Sequence, residues 1–119
     1  MSNAEELYDQ GLTFFGEGQH DDAVRVLNEA LALEPDNAEV VRALAMTCFH
    51  MTRYDDAIGW GKRLTELLPD DVLARTSLSM AYMKKGLIKE AEHEGAQARI
   101  LGWKEQLKNP PPGAAPPKP

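Results

Sequence analysis

The sequence predicts an all-α array of three stacked helix pairs, and three observations predict it. A pattern recurs at an interval of 34 residues, with Ala23, Ala57 and Ala91 in register and Leu33, Leu67 and Leu101 following. Pro35 and Pro69 mark the same joint in successive copies, as do the pairs Asp21-Asp22 and Asp55-Asp56. Within each copy, apolar and small residues fall at helical spacing on two stripes separated by a short break. A fixed period of this size means stacked copies of one supersecondary unit, in which each copy buries its apolar face against the next.

In the first unit, residues 4–37, Leu7, Gln10, Gly11 and Phe14 share one face of a helix. Gly18 breaks it, and Asp21 or Asp22 is expected to start the second helix, since acidic groups favour a helix N-terminus. Ala23, Leu27 and Ala30 form the facing stripe, and Pro35 ends it. The second unit, 38–71, repeats this with Val41, Leu44, Ala45 and Cys48, then Ala57, Gly61 and Leu64, then Pro69. The third, 72–105, has Leu78, Ser79 and Tyr82, a break at Gly86, then Ala91, Gly95 and Ala98. Trp103 stands where the next proline belongs, so the last helix is expected to run on to Lys108. Small residues recur at Gly11, Ala45 and Ser79, where they let two helix backbones approach closely. The domain therefore spans 4–108. Residues 109–119 hold six prolines in eleven and are expected to be an extended, disordered tail.

These units resemble the tetratricopeptide repeat family, whose pattern is W-x2-L-G-x2-Y, then A-x3-F, then P. The first unit offers Leu7, Gln10, Gly11 and Phe14, then Ala23 and Leu27, then Pro35. The third offers Arg75, Leu78, Ser79 and Tyr82, then Ala91 and Gly95. No unit has the leading tryptophan. Gly61 and Gly95 replace the second-helix aromatic, so packing there is expected to be thin unless Trp60 fills it. The resemblance implies a right-handed superhelix with the first helix of each unit lining a concave surface.

On those helices Glu5, Tyr8, Leu12 and Phe15 lie beside the core stripe, with Glu39, Arg42, Met46 and Phe49 and then Leu73, Thr76, Met80 and Met83 as equivalents. Leu12, Met46 and Met80 make one row down the stack; Phe15, Phe49 and Met83 make another. The candidate groove thus comprises Tyr8, Leu12, Phe15, Glu39, Arg42, Met46, Phe49, Thr76, Met80 and Met83. Methionine moulds to varied apolar surfaces, so an apolar or amphipathic protein segment is the expected ligand, with Arg42 and Glu39 orienting it. The competing reading for Phe15 and Phe49 is burial between repeats. The family also contains a class that grips a terminal carboxylate with basic groove residues. Only Arg42 is basic here, so that class is not expected.

The net charge of −6 argues against general nucleic-acid binding, which needs a basic footprint. The charge is graded: −8 over residues 1–37, −2 over 38–71 and +4 over 72–119. This gradient suggests a second partner, another copy of the chain stacked head to tail on a poorly capped third unit. Ile100, Trp103 and Leu107 share a helical face and form either a self-cover, with Trp103 folded back on the last unit, or a self-association patch. No apolar run approaches the ~18 residues of a membrane span, no charged-then-apolar leader precedes the first unit, and the single cysteine precludes an internal disulfide. The expected compartment is the cytoplasm. His20, His50 and His93 lack metal-ligand spacing, and no nucleophile or phosphate-loop pattern is present, so neither a cofactor nor enzymatic activity is expected.

Overall fold

The computed structural model describes residues 3–109. It contains α1 (Ala4–Gly16), α2 (His20–Leu33), α3 (Ala38–His50), α4 (Tyr54–Leu67), α5 (Val72–Lys84) and α6 (Ile88–Lys108), with no strand among the described residues. Successive helices pack as antiparallel pairs, and each pair stacks on the next. The last helix does continue to Lys108. The proline-rich segment expected after it lies outside the described residues, apart from Asn109.

The first helix of every pair is capped by a side chain, and the caps share the period. Asn3 Oδ1 accepts the Glu6 N–H at 2.8 Å, Asn37 Oδ1 accepts those of Glu39 and Val40 at 3.0 and 3.2 Å, and Asp71 Oδ1 accepts that of Ala74 at 2.9 Å. Such a cap contributes about 1 kcal/mol by satisfying an otherwise orphaned donor. The second helices start differently. Their N-terminal flanking residues Gln19, Arg53 and Leu87 make no side-chain cap. The expectation that Asp21 or Asp22 starts α2 is therefore corrected: the helix begins at His20, and both carboxylates ride in its first turn, where the helix dipole favours them.

What sets those starts is the preceding reversal. Residues 18, 52 and 86 all have positive φ, at 77° for Gly18, 58° for Thr52 and 81° for Gly86. The following N–H then reaches back five residues: Gln19 to Phe14 O at 2.8 Å, Arg53 to Cys48 O at 2.9 Å and Leu87 to Tyr82 O at 2.9 Å. This is the left-handed helix stop that glycine adopts freely and a β-branched residue does not. Thr52→Gly is expected to stabilise the fold by about 0.5–1 kcal/mol, the relieved left-handed penalty less the extra chain entropy of glycine. A urea midpoint raised at unchanged slope would show it.

Within and between the pairs, small residues allow the close approach that the spacing requires. A Cβ added to Gly11 would stand 2.6 Å from Leu27 Cγ, and one added to Gly61 would stand 3.0 Å from Leu78 Cδ1. Ser79 Oγ donates to the Ala91 carbonyl at 2.7 Å, tying α5 to α6. Trp60 is half-buried and packs against all three core clusters, one of which holds Leu7, Val26, Leu27, Val40 and Leu44. Cys48 is buried, and burial pushes its thiol up, ahead of the nearby Asp56 carboxylate.

The third unit ends in a polar pair where its predecessors are apolar. Leu7 and Val41 are buried, but their register equivalent is Arg75. Val26 is buried and Trp60 half-buried, but theirs is Glu94. Arg75 Nη1 donates to Glu94 Oε2 at 3.1 Å, with side chains 21% and 13% exposed, and Arg75 also donates to the Pro69 carbonyl. The stacking face is thus closed by an ion pair, as a terminal repeat requires, and the third unit is not poorly capped there. The other expected cover fails: Trp103 is 65% exposed and does not fold back, and Ile100 and Leu107 are exposed beside it.

Candidate binding groove

The apolar rows meet in one cavity of ≈ 340 Å³ between α3, α4 and α5. Arg42, Met46, Phe49 and His50 of α3 form one wall, and Leu73, Ser77 and Met80 of α5 form the other. Gly61 and Leu64 of α4 lie at its floor. The register explains the opening. In the first unit Leu27, fully buried, fills the space against Gly11; its equivalent in the second unit is Gly61, which has no side chain to fill the same space. The expected thin packing is not found where a side chain at Gly61 would begin, since a Cβ there would stand 3.0 Å from Leu78 Cδ1; the cavity opens beside that contact, next to Ala45 and Met46. Trp60 does not fill the gap, because it faces the clusters and a separate cleft with Leu31 and Pro35.

Of the sequence-derived residues, the cavity unites Arg42, Met46, Phe49 and Met80. Met46 is 38% and Met80 51% exposed, so both keep contact surface available. Phe49 is half-buried, with its ring edge-on to Tyr54 at 5.5 Å. Tyr8 and Phe15 pack against the first core cluster instead, and Phe15 stacks near His20 and His50 at 5.3 and 5.1 Å. Leu12, Glu39 and Met83 are exposed outside the cavity, and Thr76 turns its hydroxyl onto the Val72 carbonyl at 3.0 Å. His50 and Ser77 were missed as lining residues. Their signal was helical phase, since His50 follows Met46 by four and Ser77 precedes Met80 by three.

Arg42 is already engaged. Its Nη2 donates to Asp71 Oδ2 at 2.8 Å, and the same carboxylate caps α5. Burial pushes the Asp71 carboxyl up, but the Arg42 and Ala74 hydrogen bonds outweigh it and hold it below its ordinary value. A carboxylate depressed in the fold contributes stability above its unfolded pKa and loses it as pH falls through the folded one. Asp71→Asn is expected to flatten the acid side of the stability profile, measured as urea midpoint against pH. Tyr8 is raised, first by burial and then by the carboxylates of Glu39 and Asp9, which places acidic groups at the α1–α3 rim.

An open apolar groove on a stack of helix pairs defines the class: a helical repeat array that presents a surface. Residues 14–71 match the family model for the tetratricopeptide repeat, and the six helices fit three such repeats. Among solved structures, MamA aligns at 27% identity with a TM-score of 0.84, over 87% of this chain and 60% of that one. The second TPR of Spaghetti (RPAP3), solved with the HSP90 peptide SRMEEVD, aligns at 22% identity with a TM-score of 0.78, over 84% and 93% of the two chains, and shows the fold alone. Among curated proteins, the Hsp70-Hsp90 organizing protein of Triticum aestivum is 27% identical over 122 residues. The match covers 91% of this chain and 21% of that protein. The fold is that of a protein-interaction module. No described helix is long and apolar enough to cross a membrane.

Proposed function

We propose that residues 4–108 act as one non-catalytic adaptor that captures an apolar or amphipathic protein segment in the groove between α3 and α5. The observation that carries this is the cavity opened by Gly61 and walled by Met46, Phe49, Leu73 and Met80. A large apolar side chain entering it replaces water against carbon on several sides, and a helix laid along the walls presents such residues at three- and four-residue intervals. Arg42, held by Asp71, shapes the rim; exposed Glu39 is free to meet a basic group on the ligand. An acidic terminal peptide of the kind in the RPAP3 structure is not the proposed ligand. Besides His50, the cavity's one basic lining residue is Arg42, which already has a carboxylate.

The test is capture from native lysate with the wild-type chain and the Met46→Glu, Met80→Glu variant in parallel. Both methionines are exposed, so melting is expected to stay within a few degrees while captured partners disappear. Partners retained at full yield by the folded variant would overturn the groove reading.

A further inference from the structure

The end of α6 carries an apolar stripe that is left exposed among the described residues. This helix has 21 residues against 13 in α5 and 14 in α4, so its last two turns overhang the stack. Ile100 just before that overhang and Trp103 and Leu107 on it fall at i, i+3 and i+7, with exposures of 45%, 65% and 50%. An indole this exposed leaves much of its apolar surface in water, and such a stripe marks a contact site rather than a stack end, since the stack end is closed by Arg75–Glu94.

We infer that this stripe docks in the groove of a second copy, with Trp103 seated over Gly61. The inference rests on the groove reading above and names one occupant for it. Three features fit together. The cavity is of side-chain size and lacks the leucine that fills its equivalent in the first unit. An amphipathic helix with anchors at these intervals matches a groove walled by Met46, Phe49 and Met80. Charge is complementary: Arg99, Lys104 and Lys108 flank the stripe, and Glu5, Asp9 and Glu39 lie on the first helices beside the groove. The graded net charge, −8 over the first 37 residues and +4 over residues 72–119, favours the same encounter over long range. One contact covers both features that an isolated copy leaves exposed, and it makes self-capture compete with any other ligand of the groove.

The full chain is examined by light scattering after gel filtration and by sedimentation equilibrium. The wild type is expected to gain mass with concentration and to lose that association as salt rises. Trp103→Ala and Met80→Glu should each be monomeric with unchanged melting, because both side chains are exposed. Mixing the two restores association, because one variant keeps the groove and the other keeps the stripe. A wild type monomeric at all concentrations in low salt, or a mixture that fails to associate, overturns the inference. Lysate capture separates its failure from that of the groove: Trp103→Ala keeps or increases partner yield if the groove is a binding site, whether or not self-capture occurs.

Discussion

Leu27→Ala is expected to cost about 2–5 kcal/mol, the range for a fully buried leucine whose removal leaves a cavity. Leu27 is 0% exposed and lies in the first core cluster with Leu7, Val26 and Leu44, so little can collapse into the space. The complementary change, Gly11→Ala, places a methyl 2.6 Å from Leu27 Cγ. Overpacking of that kind costs about 1–3 kcal/mol and outweighs the roughly 1 kcal/mol that alanine gains over glycine in a helix. Gly59, also helical, has nothing within 4 Å of an added Cβ, so Gly59→Ala is expected to stabilise. The double variant Gly11→Ala, Leu27→Ala is the sharper measurement. Truncating Leu27 removes the atoms that a methyl at position 11 would strike. The double should therefore lose clearly less than the sum of the singles in urea unfolding. Additive losses would mean that the close approach of α1 and α2 does not depend on this contact.

The second large effect concerns the end of the stack. Arg75→Leu alone leaves the Glu94 carboxylate, 13% exposed, without its cation, and is expected to cost about 1–3 kcal/mol. Adding Glu94→Val writes the apolar pair Leu7 and Val26 of the first unit onto the third. Stability should then return, since a buried ion pair is often matched by well-packed apolar groups. The stacking face would now resemble an inner one and should self-associate, in a way that salt does not weaken. Made in the Trp103→Ala background, the triple variant separates this contact from docking of the α6 stripe. A triple variant that stays monomeric would show that Arg75 and Glu94 are not what closes the stack.

Much of the fold was legible because its signals are local. The interval of 34, the stripes, the prolines and the glycine at 18 and 86 each act within one turn or one helix. Two local signals of the same period went unread. Asn3, Asn37 and Asp71 cap the first helices, and Thr52 occupies the left-handed position that Gly18 and Gly86 hold. The site was less legible. Spacing placed Met46, Phe49 and Met80 on the right rows, but it treated all three units alike. It therefore included Tyr8 and Phe15, which the first core cluster engages, and assigned Arg42 to orienting the ligand without the Asp71 carboxylate that holds it.

By itself the sequence determined the number of units, their helices and the concave rows, since helical phase and chain-breaking residues depend only on neighbours along the chain. Tertiary structure alone decided where those rows open into a cavity. That depends on the absence of a side chain at Gly61, felt only where three helices converge, and on which partner each charged group finds across helices. Arg42 and Asp71 lie 29 residues apart in the chain, Arg75 and Glu94 lie 19 apart, and no periodicity pairs them. The same convergence closed the stack with charge and left the α6 stripe bare.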